Sequence, residues 1–250
     1  GTARIARQFV RGIGQSRGSI VGAVASRNLG RAAGFAKEHG IPQAFGSYGE
    51  LLESPGVDAV YVPLPNSMHA EWTIRALEAG KPVLCEKPFA VSAAEAREMV
   101  AASRRTRMLL AEAFMYRFHP MYETVLGLIE SGAIGRVIAI DSAFTYFLED
   151  RGEIPASVEL AGGALMDVGC YCVNLSRMVA KAEPSRVFAF ERRSTVDDSM
   201  VGALEFANGP LAHFTCSIEA AERCSAAIAG TDGEIALENA WIPGEADAVV

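Results

Sequence analysis

A lysine at the end of a short apolar run is the residue best placed for chemistry in this 250-residue chain. Lys87 follows Pro82-Val83-Leu84-Cys85-Glu86 and precedes Pro88. That puts it at the C-terminal end of a buried strand, where open α/β sheets bind their ligands. An ammonium there can stabilise a developing alkoxide or exchange a proton with an alcohol; a surface cation is the plainer alternative. The second candidates are Asp167 and Tyr171, four apart in Gly162-Gly163-Ala164-Leu165-Met166-Asp167-Val168-Gly169-Cys170-Tyr171. On a helix that spacing brings both to one face. A buried tyrosine and an aspartate near a helix start would account for them equally simply. The five cysteines, Cys85, Cys170, Cys172, Cys216 and Cys224, make no CxxC pair and have no ligand-spaced histidine, so no metal is expected.

A second group of residues has the chemistry of a nucleotide site. Gly1-Thr2-Ala3-Arg4-Ile5-Ala6 fits the dinucleotide fingerprint G-x-G-x-x-G/A with alanine for the middle glycine. About twenty residues on, where NAD-binding chains carry a ribose-binding acid, stand Ser26 and Arg27. The first acidic residue of the whole chain is Glu38, preceded by Arg4, Arg7, Arg11, Arg17, Arg27, Arg31 and Lys37. A 2′-phosphate is repelled by carboxylate and held by guanidinium, so NADP is expected over NAD. Arg27 is assigned the phosphate, with Ser26 as a hydroxyl donor, and the other arginines a solvated face. Pro63-Leu64-Pro65-Asn66 would close a strand beside the ribose, Asn66 doubling as a helix N-cap. His69 is either a cofactor contact or a helix-surface histidine.

The composition is consistent with a small-molecule enzyme. Half of the residues are apolar and the formal charge is −7, with a pI near 5.2. This balance weighs against a nucleic-acid backbone or an anionic membrane as the main partner. No apolar run is long enough to span a bilayer, and an odd number of cysteines fits a reducing cytoplasm.

The elements that must position these residues fall into two halves. Strands are expected at 19–25, 57–63, 83–85 and 108–113. They alternate with helices from Asn28 to Gly40, over 70–79 closed by Gly80, and over 93–104. Such alternation predicts a parallel, doubly wound Rossmann-type sheet. After Arg117-Phe118-His119-Pro120 and a helix over 121–129, the pattern becomes a long strand at 137–147 and a helix around 166–180. Strands then follow at 187–190, 200–206, 211–218, 226–229 and 234–237. Asn208-Gly209 and Asp232-Gly233 are hairpin turns. The second half is thus an α+β domain on a mainly antiparallel sheet.

The parallel half, the strand-terminal Glu86-Lys87-Pro88 and the Gly-Gly-Ala-Leu-Met-Asp-x-Gly helix together resemble the glucose-fructose oxidoreductase/inositol dehydrogenase (Gfo/Idh/MocA) family over essentially the whole chain. Ala25-Ser26-Arg27, Val83 to Pro88 and Val168-Gly169-Cys170-Tyr171-Cys172 are most similar to its dihydrodiol dehydrogenase and NADP-dependent xylose dehydrogenase branch. The resemblance implies an NADP-binding domain over 1–117 without its first strand, and a substrate and dimerisation domain over 118–250 lacking its C-terminal end. It implies hydride transfer to or from a hydroxyl or carbonyl carbon of a sugar, cyclitol or dihydrodiol. Tyr171 would be the general acid/base where many relatives carry histidine, Lys87 would lower its pKa and hold the oxygen, and Asp167 would bind a neighbouring hydroxyl. The cofactor contacts would be Gly1, Ala3, Arg4, Ile5, Ser26, Arg27, Pro63, Leu64, Asn66, His69, Glu86, Lys87 and Arg117. It further implies a homodimer through the antiparallel sheet. The alternative is a non-catalytic nucleotide-binding regulator of the same fold, which intact Lys87, Asp167 and Tyr171 argue against.

Overall fold

The computed structural model describes residues 1–207 and 209–244. The chain divides into two units, Gly1–Ala113 and the stretch from Phe114 onward, a few residues ahead of the 117/118 division that the sequence suggests. The first unit alternates helix and strand: α1 (Arg4–Gly14), β1 (Ala23–Ala25), α2 (Leu29–His39), β2 (Gln43–Phe45), α3 (Tyr48–Glu53), β3 (Val60–Val62), α4 (His69–Glu78), β4 (Val83–Cys85), α5 (Ala93–Thr106) and β5 (Leu110–Glu112). Every strand pairing is parallel, β1 with β2 and β3-β4-β5 with β4 in the middle.

Local chemistry explains most of the boundaries. The Asn28 side chain accepts from the Arg31 amide at 3.0 Å and starts α2, and Gly40 ends it at φ +65. Gly80, at φ +74, follows α4 in the same way. The strand expected at 19–25 shrinks to Ala23–Ala25, because only these residues find ladder partners in β2; Ile20 is 84% exposed. The expected strands at 57–63 and 108–113 shorten to β3 and β5 for the same reason. The sequence reading missed β2 and α3. Ser47 and Glu50 carried the signal for α3, since the Ser47 hydroxyl caps the Glu50 amide at 3.2 Å. Val62, Leu77, Val83, Cys85 and Met99 pack β3 and β4 against α4 and α5.

The second unit contains α6 (Pro120–Glu130), β6 (Val137–Phe147), α7 (Cys170–Ala180), β7 (Arg186–Arg193), β8 (Asp197–Glu205), β9 (Leu211–Ser217), β10 (Glu219–Gly230) and β11 (Glu234–Leu237). Its six strands run in the order β11-β10-β6-β9-β8-β7. All pairings are antiparallel except β6 with β9, which is parallel. The β10–β11 connection passes through the expected Asp232-Gly233. Of the Asn208-Gly209 turn, Asn208 lies outside the described residues. β10 begins seven residues earlier than the 226–229 run suggests, because its polar start still pairs with β6 across an irregularity between Glu219 and Arg223. One sheet face buries Ile140, Phe214, Cys216 and Ile228 against Cys172, Leu175 and Val179 of α7. At the opposite edge β7 is exposed along its whole length, with Phe188 at 62% and Phe190 at 72%.

Candidate functional site

In the first unit a cleft of about 260 Å³ opens where the start of α1 meets the C-terminal ends of β1 and β3. It gathers Gly1 and Ala3, Ser26 and Arg27, and Pro63 and Leu64, all expected at a cofactor site, together with Arg31, which the sequence reading assigns to a solvated face, and Tyr48, which it does not single out. The approach is tight: a Cβ on Gly1 would lie 2.9 Å from the Pro63 carbonyl oxygen, so only glycine fits. Ala3 is the N-cap of α1 and provides no side-chain acceptor, and the first turn contains no acid. The helix therefore presents amide donors and the positive end of its dipole without an internal counter-charge. Among the described residues no carboxylate lines the cleft. Arg27 and Arg31 are exposed, and neither forms an ion pair among the described residues. Arg31 sits one turn into α2 because Asn28 caps that helix beside Arg27. With Asn28 as N-cap, Arg31 is the third helical residue, whose amide donates to the Asn28 side chain.

Arg4 and Ile5 lie in the exposed first turn of α1, outside the cleft lining. Asn66 opens a 3₁₀ turn, Asn66–Met68, and α4 starts without a side-chain cap, so the expected N-cap role is not seen. His69 is neither a surface residue nor open to a ligand. It is fully buried, with Nδ1 2.8 Å from the Pro88 carbonyl oxygen and Nε2 2.8 Å from that of Leu64. Its imidazole thus ties the loop after β3 to the loop after β4.

That second loop holds Lys87. β4 is flanked by strands on both sides, so its end is fixed by both neighbours: the Glu86 amide donates to the Val62 carbonyl at 3.2 Å and the Ala113 amide to that of Cys85 at 2.8 Å. Glu86, expected to touch cofactor, is engaged internally. Its carboxylate accepts from the Tyr61 hydroxyl and from the Lys87 amide. The Phe89 amide donates to Glu112 at 2.8 Å. Lys87, half-buried, therefore projects from a backbone pinned on each side. Below it, burial pushes the Cys85 thiol up to about 12.

In the second unit, Asp167 lies in a π-helical turn, Leu165–Gly169, that runs directly into α7 and its Tyr171. Such turns recur at functional sites. The Tyr171 ring is buried in an aromatic cage, 5.3 Å from both Phe114 and Phe144, and its hydroxyl points to the Met115 sulfur at 3.8 Å. The Asp167 carboxylate accepts from the Tyr146 hydroxyl at 2.6 Å. Burial first, then the neighbouring Asp167 charge, pushes the Tyr146 phenol far above its ordinary range, so Tyr146 remains a donor that orients Asp167. Arg151 is paired with Asp198 and Glu219. Arg117 is exposed in a 3₁₀ turn, while His119 caps α6 by accepting from the Met121 amide at 3.2 Å. Cys172 is a packing residue, its thiol raised to about 12 by burial. Among the described residues no cluster of histidine, cysteine or carboxylate side chains could hold a metal ion.

Parallel strands with an uncapped helix start and a cationic cleft at their C-terminal ends define a dinucleotide-binding α/β protein. The chain belongs to the Gfo/Idh/MocA oxidoreductase family: the NAD-binding Rossmann-fold model matches residues 1–114 and the Gfo/Idh/MocA C-terminal domain model residues 122–236. It is 39% identical to D-xylose 1-dehydrogenase (NADP(+)) 2 of Haloferax volcanii, over 96% of this chain and 75% of that protein. It is also 39% identical to trans-1,2-dihydrobenzene-1,2-diol dehydrogenase of Xenopus tropicalis, over 88% and 68%. Among solved structures, the 3-ketoreductase KijD10 of Actinomadura kijaniata, a tyrosine-to-phenylalanine mutant with TDP-benzene and NADP, superposes with a TM-score of 0.92 at 31% identity, covering 98% of this chain and 76% of that one. These relatives are dehydrogenases and reductases, which favours the catalytic reading over the regulatory one.

Proposed function

We propose that this protein transfers hydride between NADP(H) and a hydroxyl or carbonyl carbon of a sugar, cyclitol or dihydrodiol. The observation that carries the cofactor choice is the cleft of the first unit, where Arg27 and Arg31 line the space at an uncapped helix start and the described residues supply no carboxylate. The residues fit the group. The α1 amides and Gly1 would take the pyrophosphate, Arg27, Arg31 and Ser26 the 2′-phosphate, and Pro63 and Leu64 the ribose side. Bound NADP(H) supplies or accepts the hydride. In this reading Tyr171 would exchange the proton of the reacting hydroxyl, Lys87 would stabilise the substrate oxygen, and Asp167, oriented by Tyr146, would bind an adjacent hydroxyl. The relatives' printed names support the sugar and diol classes, and the KijD10 structures include variants of one tyrosine and one lysine.

Two broader features belong to the same reading. A homodimer through the open sheet face is supported by exposed Phe188, Phe190, Val201 and Leu211. A cytoplasmic location is supported by the cysteine content, and no helix of the described residues is long and apolar enough to cross a membrane.

The test is NADP⁺ reduction, followed at 340 nm, with D-xylose, myo-inositol and trans-1,2-dihydrobenzene-1,2-diol. Turnover of one of them, lost in Lys87→Ala and Tyr171→Phe, is expected. Wild-type turnover in Tyr171→Phe would remove the phenol from the chemistry.

A further inference from the structure

We infer that Asp197, on β8, is a positioning residue of the active site: its carboxylate fixes the start of the helix that carries Asp167 and Tyr171. This deepens the functional reading above and rests on it.

The geometry converges from three sides. First, Asp197 Oδ2 accepts from the Leu165 amide at 2.7 Å. That amide is one of the donors which a helix start leaves without an intrahelical partner, and neither it nor Ala164 before it is capped by a side chain from its own segment. The acceptor therefore comes from the sheet. Second, the two glycines ahead of the helix are shaped around this contact. Gly163 has φ +112, and a Cβ there would lie 2.0 Å from Asp197 Oδ1; a Cβ on Gly162 would lie 2.5 Å from the carbonyl oxygens of Ile154 and Pro155. Only an unsubstituted strap admits the carboxylate. Third, the β7–β8 ladder is irregular at this point, with Arg192 opposite Ser199 but Arg193 opposite Asp197. Such an irregularity re-aims side chains. It lets consecutive aspartates both turn inward: Asp198 accepts from Ser194 and Arg151, while Asp197 reaches the helix. Both are buried, at 1% and 8% exposure.

The consequence follows from helical geometry. Asp167 lies two residues and Tyr171 six residues beyond the anchored amide, so at about 1.5 Å rise per residue both stand within roughly 9 Å of it. Further on, the helix is held by close packing, since a Cβ on Gly169 would lie 2.7 Å from the Cys216 sulfur. Asp197 sets one end of the segment and Cys216 the other, and the two chemical residues are carried at and just beyond this clamped turn.

The experiment compares Asp197→Ala, Asp197→Asn and Tyr171→Phe in the full chain. Steady-state oxidation of D-xylose by NADP⁺ and NADPH binding by fluorescence are measured below the melting temperature of each variant. Losing a hydrogen bond to a charged acceptor corresponds to roughly 10- to 100-fold. Asp197→Ala is therefore expected to lower kcat by that factor with the NADPH Kd within twofold of wild type. Asparagine keeps an acceptor oxygen, so Asp197→Asn should recover to within about threefold. Hydrogen exchange supplies a readout independent of substrate and turnover: in Asp197→Ala, and in Asp197→Asn to a smaller degree, amides at 164–168 exchange faster while those at 173–179 stay protected. Unchanged exchange at 164–168, or Asp197→Asn as impaired as Asp197→Ala, would overturn the positioning role. Full activity in Tyr171→Phe would sink the catalytic reading instead, and the exchange data would then still decide whether Asp197 anchors the helix.

Discussion

Replacing Gly163 by alanine probes the strap that precedes the Asp167–Tyr171 helix, and the close approach of Asp197 sets its cost. The residue sits at φ +112, and the added Cβ would meet Asp197 Oδ1 at 2.0 Å and its Cγ at 2.9 Å. A non-glycine residue held in that backbone region costs about 1–3 kcal/mol. Relief of the overlap requires Asp197 to withdraw from the Leu165 amide, losing a hydrogen bond to a charged group worth about 1.5–3 kcal/mol. The two contributions share one movement, so they do not add fully, and a net loss of about 3 kcal/mol is expected. For a unit of this size that corresponds to roughly 10 °C in melting temperature. Urea and thermal unfolding measure it, with Gly162→Ala as a comparison that meets the Ile154 and Pro155 carbonyls but leaves Asp197 in place. A Gly163→Ala protein within about 0.5 kcal/mol of wild type, the scatter typical of surface changes, would refute the strap argument.

Two further outcomes follow from buried groups. Cys85 and Cys172 are raised to about 12 by burial, so at pH 8 on the order of one molecule in ten thousand carries either thiolate. In the native protein both should resist iodoacetamide, react faster as pH rises towards 12, and react fully in urea; rapid native labelling of either by mass spectrometry would contradict the burial. His69→Ala leaves the buried carbonyls of Leu64 and Pro88 without their partner and should cost about 2 kcal/mol, with a loss of kcat through the Lys87 loop. An unchanged melting temperature would show that the imidazole is dispensable.

Much of the fold could be read from local chemistry. Asn28 and Gly40 bracket α2, and the apolar runs at 83–85, 137–147 and 234–237 are strands with the expected limits. What failed was local signal without tertiary support, or the reverse. Residues 19–22 find no partner in the sheet, whereas Glu219, Arg223 and Cys224, outside the apolar run, are drawn into β10 by pairing with β6. The site shows the same division. Gly1, Ala3, Ser26, Arg27, Pro63 and Leu64 form one cleft as their motifs imply. Spacing alone could not tell that His69 and Glu86 spend their polar atoms on their own loops, since that depends on which carbonyls and hydroxyls the folded sheet brings near. The pairings of Tyr146 and Asp197 were not legible for the same reason: their partners, Asp167 and the Leu165 amide, are 21 and 32 residues away.

The central claim, that the cleft selects NADP through Arg27 and Arg31, is tested most directly by titrating the protein with NADPH and NADH and following reduced-nicotinamide fluorescence, with Arg27→Asp in parallel. Each charge-assisted contact to the 2′-phosphate is worth about 1.5–3 kcal/mol. NADPH should therefore bind at least tenfold more tightly than NADH, and Arg27→Asp should erase that preference while leaving NADH affinity within a few-fold. Equal affinities for the two nucleotides, or a preference that survives Arg27→Asp, would contradict the assignment of the phosphate to this cleft.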